Sequence, residues 1–356
     1  MSLQEQHGSA ESENVMSIRD LSVSFDLERG ESRVLNSVDV DIRRGEILGV
    51  VGESGSGKSM FASALLDAVP EPGLTFGEIE YYPERGGTVD VLEQTEEGLR
   101  QMRWEDVAMV FQGAMDSWNP TMTIGDHFEE TLKAHDVPKQ EGMDRARQLI
   151  SDVYLSPERI LNAYPHELSG GMKQRALIAL SLILEPEVLV MDEPTAALDL
   201  LMQRSIIALL SELREEYNLT MVFITHDLEL ASGLADRIAV MYAFEFCEIG
   251  SAETIVHDGH HPYTRALINS TPNLNTPVDE MEPIEGESPD PVNVPQGCSY
   301  HPRCPLSEEI CVDVDPEMYE TDADDGSGVT NRAACHFWED VPEEIPLHIE
   351  GVRYDE

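Results

Sequence analysis

Positive charge is what this chain has least of. It sets 23 Lys and Arg against 69 Asp and Glu, a formal net charge of −46 over 356 residues. A surface so acidic excludes nucleic acid as a main partner, because phosphate backbones need a basic footprint. It disfavours an anionic membrane surface for the same reason. Long apolar runs are missing too. The longest stretch, near Ala176 to Leu184, is interrupted by Ser181 and stops at Glu185, well short of the ~20 residues that cross a bilayer. Residues 1–14 lack both the basic and the apolar segment of a secretory signal and read as a disordered polar leader. A soluble protein on the cytoplasmic side is the default expectation. Disorder of the whole chain is excluded by its 41% apolar content and by clean strand and helix patterning.

The acidity is spread along the chain, from Glu5 to Glu356 with only short gaps, and Lys is scarce. Such a surface stays hydrated where salt screens everything else, and points to a halophile, an archaeon by expectation. A cationic partner or plain solubility are the bland alternatives.

From Val15 to about His260 short apolar runs alternate with amphipathic stretches, the α/β pattern. EILGVVG (46–52), DVAMVFQ (106–112), EVLVMDE (187–193) and TMVFITH (220–226) read as buried strands. Each ends in a polar or Gly-rich turn, where an open parallel sheet places its ligand. Residues 113–182 read as mostly helical. From His261 onward Pro becomes frequent, periodicity fades, and four of the five cysteines appear. The expected organisation is a leader (1–14), a nucleotide-binding domain (15–260) with a helical subdomain (113–182), and an extension (261–356).

GESGSGKS, residues 52–59, follows the first of these strands and matches G-x-x-x-x-G-K-S/T at every fixed position. Gly52, Glu53, Ser54, Gly55, Ser56 and Gly57 supply inward-turned backbone N–H groups at a helix start. Lys58 is expected to reach the β- and γ-phosphates of ATP, and Ser59 to ligate Mg2+. In VLVMDE the two terminal carboxylates are costly unless they act at an exposed strand tip. Asp192 is the expected Mg2+ ligand, and Glu193 the group that polarises the hydrolytic water. A strand ending in Asp-Glu is weak evidence alone and strong beside a phosphate loop.

LSGGMKQR, Leu168 to Arg175, resembles the signature motif of ATP-binding-cassette (ABC) ATPases. Physically it is a Ser-capped helix start with two bare glycines. The resemblance implies a RecA-like core sheet with a helical subdomain. It also implies that Ser169, Gly170 and Gly171 bind the γ-phosphate held by a second cassette in a head-to-tail dimer. Further matches fall in order. Gln112 resembles the glutamine that senses Mg2+ and the γ-phosphate, and His226 the switch histidine, though alone it would be a capped strand-end residue. Asp199 resembles the loop that crosses to the partner; Ala196 stands where the family often has Ser, which removes one cross-dimer hydrogen bond. Phe25 is either the aromatic on adenine or a core phenylalanine.

QGAMDSWNP (112–120), HPYTRAL (261–267) and GCSYHPRCP (297–305) resemble segments of oligopeptide/dipeptide importer ATPases. Gly113 and Ala114 replace the usual Asp-Pro, and Phe244 replaces a common Gly after MYA. Cys298, Cys304, Cys311 and Cys335 are spaced C-x5-C-x6-C-x23-C. The spacing lacks the close pairs of zinc sites. With the resemblance it leads to an expected 4Fe–4S cluster, with Zn2+, unliganded thiols or disulfides as alternatives. His301 and His336 are nearby substitutes better read as structural, and Cys247 as a core thiol. The resemblance thus implies an importer ATPase for peptides or a related solute. It would work at the cytoplasmic face of the membrane with two permease subunits and an extracellular solute-binding protein. The rivals are a soluble ABC ATPase of DNA repair or translation, a non-hydrolysing cassette, and an exporter ATPase.

Overall fold

A computed structural model describes residues 14–113, 117–196, 198–270, 284, 286–321 and 328–347. The expected leader and Ala114 fall outside these, apart from Asn14.

Two sheets organise the chain. The first is antiparallel, in the order β2 (Gly30–Arg43), β1 (Asn14–Leu27), β4 (Leu74–Tyr81), β5 (Val89–Asp90). The second holds a parallel core of β3 (Ile47–Val51), β6 (Val107–Val110), β7 (Val188–Asp192), β8 (Thr220–Thr225) and β9 (Arg237–Tyr242). It continues antiparallel through β10 (Glu245–Ser251), and β11 (Tyr319–Glu320) and β12 (Arg332–Ala333) from the C-terminal region complete the order β11-β12-β10-β9-β3-β8-β7-β6. The four expected buried strands all form, each one to three residues shorter than the segment read from the sequence.

These runs are continuously apolar because both faces are covered. In β3, Ile47 and Val51 join one core cluster while Leu48 and Val50 join the other; β7 divides likewise, with Leu189 and Met191 against Val188 and Val190. The first cluster packs the helices Ile124–Ala134, Lys139–Asp152, Gly170–Ser181 and Leu200–Tyr217 on one face. The second packs the antiparallel sheet and the helix Lys58–Ala64 on the other. The parallel strands order as β9-β3-β8-β7-β6, so the C-terminal tips of β3, β6, β7 and β8 share one edge. That edge is where such sheets bind ligands.

The C-terminal region is less irregular than its proline content implied. HPYTRAL forms the helix Pro262–Asn269, capped by the His261 side chain, which accepts the Tyr263 N–H at 3.1 Å. Tyr263, Leu267, Ile268 and Tyr300 are part of the first core cluster. The segment buries these rings against the sheet and pairs β12 with β10; it draws its core from the rest of the chain.

Candidate active site

The phosphate loop starts where β3 runs out. Gly52 and Gly57 have φ of +155° and +110°. A Cβ on Gly52 would lie 2.2 Å from the Met241 carbonyl oxygen, and one on Gly57 2.7 Å from that of Val34; no side chain fits at either position. Lys58 opens the following helix and is buried. Its Nζ donates to the carbonyls of Gly52 and Glu53, both at 2.8 Å. Burial lowers the Lys58 pKa, while the negative charges of Glu193, Asp192 and Glu53 oppose the shift. The loop is thus folded around its own ammonium group.

Two carboxylates face that loop from the tip of β7. Asp192 is buried, and burial raises its pKa against the pull of a Ser59 hydrogen bond and the Lys58 charge. Its Oδ1 is buried with no hydrogen-bond partner. An orphaned carboxylate oxygen is costly unless something else fills its coordination. A hydrated divalent cation suits that oxygen beside the Ser59 hydroxyl, so this donor set fits Mg2+.

Glu193 is the point of convergence. The Gln112 amide donates to its Oε2 at 2.9 Å, and His226 Nδ1 lies 3.1 Å from its Oε1. Gln112 follows β6, Glu193 follows β7 and His226 follows β8, so three adjacent strands deliver one side chain each. The Glu193 backbone has φ +48°, uncommon for a non-glycine residue, and its N–H bonds Ile224 O at 2.9 Å. Strain of this kind persists where surrounding structure over-determines it. The Glu193 side chain is 13% exposed, against 56% for His226.

The second glycine motif stands apart. Ser169 caps the helix Gly170–Ser181 by accepting the Met172 N–H at 3.4 Å, and Ser169 and Gly170 are exposed. No hydrogen bond or ion pair joins this helix start to residues 52–59 among the described residues. It neighbours the 198–202 segment instead: a Cβ on Gly171 would meet the Met202 sulfur at 3.2 Å, and one on Gly170 the Leu198 side chain at 3.8 Å. There Asp199 accepts the N–H groups of Leu201 and Met202 at 3.1 and 3.0 Å and caps the next helix. Leu200, Leu201 and Met202 expose apolar side chains beside it. Ala196 is exposed. Phe25 is half-buried in β1 and packs on the second core cluster.

The metal expectation for the cysteines is corrected. Cys298, Cys304, Cys311 and Cys335 line one cavity with Pro262, Leu306 and Phe337. Yet among the described residues no group of three or more His, Cys, Asp or Glu side chains is arranged to hold a metal ion. Neither a 4Fe–4S cluster nor Zn2+ is supported. Burial pushes the thiols of Cys298 and Cys304 up to about 11 and that of Cys335 to about 12. Any metal would first have to displace those protons, and burial raises the cost of doing so. All five cysteines are free. His301 Nδ1 pairs with Cys298 O at 2.9 Å, a local contact, and His336 Nε2 with Val314 O at 2.9 Å across 22 residues; both partners are backbone carbonyls. Cys247 is buried, its thiol 3.4 Å from Val240 O.

Sequence reasoning missed what braces the loop. Ala243 and Phe244, at φ +48° and +76°, form the two-residue turn between β9 and β10. The Phe244 N–H donates to Ser56 O, and its carbonyl accepts from Asn36 N–H, both at 3.0 Å. Arg303 and Tyr263 reach Glu53 from 250 and 210 residues away; no local pattern encodes contacts at that separation.

A phosphate loop, a strand-tip Asp-Glu pair and a capped double-glycine helix on this sheet define the ABC class of P-loop ATPase. The ABC transporter profile matches residues 35–196, and the oligopeptide/dipeptide transporter C-terminal region matches residues 247–311. The chain is 39% identical to the dipeptide transport ATP-binding protein DppD of Caldanaerobacter subterraneus subsp. tengcongensis, over 92% of this chain and 98% of that one. It is 37% identical to the oligopeptide transport ATP-binding protein OppD of Escherichia coli, over 85% and 89%. The dimeric ABC transporter cassette MJ0796 superposes with a TM-score of 0.56 at 27% identity, covering 65% of this chain and 96% of that one. This chain belongs to the ABC transporter ATP-binding subunits of the oligopeptide/dipeptide family, and is an ATPase of that type. No helix among the described residues is long and apolar enough to cross a membrane.

Proposed function

We propose that the chain hydrolyses ATP to power import of peptides or a related solute, as one of two cassettes paired head to tail beneath two permease subunits. A solute-binding protein outside the membrane would deliver the cargo. The observation that carries the reading is the convergence of Gln112 and His226 on the Glu193 carboxylate, on the sheet edge that holds Lys58. Glu193 serves as general base for the attacking water. His226 and Gln112 orient its carboxylate. Residues 52–57 present N–H groups to the phosphates, and Lys58 exchanges its two loop carbonyls for phosphate oxygens. Ser59, Asp192 and Gln112 would hold Mg2+, which offsets phosphate charge when bound. Phe25 stacks on adenine.

The exposed start of the Gly170–Ser181 helix, with Asp199 and the apolar Leu200–Met202 edge beside it, supports a cassette partner on that face. Residues 15–260 are read as the cassette and 261–356 as the importer-type extension. The test is affinity capture of the native complex from membranes with this subunit tagged. Co-purification of a second cassette, two permeases and a peptide-binding protein is the expected result. Capture of DNA-repair or ribosomal partners instead would overturn the transport reading.

A further inference from the structure

Glu53, the second residue of the phosphate loop, is held from the far end of the chain. The Tyr263 hydroxyl accepts its backbone N–H at 2.8 Å. The Arg303 guanidinium grips its carboxylate with both arms, Nη1 to Oε2 at 2.7 Å and Nη2 to Oε1 at 3.1 Å. Ser288 Oγ donates to Oε2 at 3.4 Å. The pair is largely withdrawn from solvent, the Arg303 side chain 6% exposed and that of Glu53 24%. Arg303 lies over the rings of Tyr242 and Tyr300, at 5.7 and 5.9 Å from their centroids.

Glu53 also faces inward. Its carbonyl oxygen takes one of the Lys58 ammonium bonds and the Ser56 N–H at 3.2 Å. Its carboxylate charge is felt at Lys58. Left unpaired, a carboxylate at this position would repel the polyphosphate that the loop exists to bind. A bidentate guanidinium cancels that charge and also fixes where the Glu53 backbone sits. We infer that Arg303 is a positioning residue of the ATP site, one that neutralises and pins Glu53 so that the phosphate loop accepts polyphosphate. The C-terminal region thereby acts on nucleotide affinity. The inference rests on the ATPase reading above.

The experiment uses the full-length chain and measures the ATP dissociation constant, KM and kcat for wild type, Arg303→Gln, Arg303→Lys, Glu53→Gln and the Glu53→Gln/Arg303→Gln pair. Arg303→Gln should raise the dissociation constant and KM about tenfold, equivalent to about 1.4 kcal/mol, while kcat changes far less. The loss should shrink as salt is added, because the exposed carboxylate becomes screened. Adding Glu53→Gln should restore most of the lost affinity, since the offending charge is then gone. Arg303→Lys, which keeps the charge without the fork, should fall between. A purely structural ion pair predicts a lower melting temperature, unaltered ATP affinity and no rescue; that result overturns the inference. If Arg303→Gln does not fold, Arg303→Lys carries the same criterion, and wild-type ATP affinity in it refutes the inference. Failure of the wild type itself to bind ATP would instead overturn the ATPase reading.

Discussion

Replacing Glu193 by Gln separates catalysis from structure with little other disturbance. The carboxylate accepts one bond from Gln112 and has a second contact with His226. An amide of the same shape keeps one acceptor oxygen. Its new NH2 can face the Gln112 carbonyl if that amide turns over, so both partners stay satisfied. The substitution also removes a like charge that raises the Asp192 pKa from next door. The stability cost is therefore small, about 1 kcal/mol or less on the scale of one neutral hydrogen bond. Catalysis loses the base outright. A positioned general base contributes about 10²- to 10⁴-fold, or roughly 3–5 kcal/mol of barrier. Phosphate release at saturating ATP should fall by that factor while ATP affinity and the unfolding midpoint stay near wild type. ATP should then hold the variant in its dimeric form, visible by size exclusion. Turnover within about threefold of wild type would refute Glu193 as the base, because losing a general base costs at least ~10²-fold. A collapse in stability would mean that the Gln112–Glu193–His226 cluster is structural.

Phe244→Gly relieves a positive-φ position, worth about 1–2 kcal/mol, but deletes a side chain only 2% exposed, worth about 3–5 kcal/mol. Urea unfolding should show a net loss of about 1–4 kcal/mol; a gain would mean that turn strain outweighs the packed ring. Glu248 is buried where it accepts the His260 and His261 N–H groups, at 2.5 and 3.1 Å, and burial pushes its carboxyl up to about 7. The folded chain keeps that proton where the unfolded chain has lost it, so this group's stability contribution declines as pH rises from about 4.5 to about 7. Glu248→Gln removes the slope and should gain on wild type across that window by roughly 3 kcal/mol. Parallel stability–pH curves for the two would refute the raised value. With 69 acidic residues against 23 basic ones, the melting temperature should climb as KCl shortens the Debye length from about 30 Å at 0.01 M to about 3 Å at 1 M. A flat response would remove high salt as the reason for the acidity.

The buried strands were legible because each is a short apolar run cut off by polar or glycine residues, and a parallel strand covered on both faces can look no other way. That Lys58, Asp192 and Glu193 would gather at one sheet edge was legible for a related reason: glycine loops and paired carboxylates at strand tips are expensive without a ligand to justify them. The cysteines misled. Four thiols at suggestive spacing do share a cavity, but spacing says nothing of how the donors are aimed, and among the described residues they are not arranged to hold a metal.

Local patterns a few residues long were enough to establish the class of chemistry and the succession of strands that carry it. Composition was enough to establish the acidic shell. Which side chains meet was settled by tertiary packing. Gln112, Glu193 and His226 come together because β6, β7 and β8 are neighbours in the sheet. Glu53 is clasped by Tyr263 and Arg303 because the C-terminal region folds back and buries its aromatic rings against the same core. Contacts between residues 210 and 250 positions apart are set by how layers pack, and packing is a property of the whole chain.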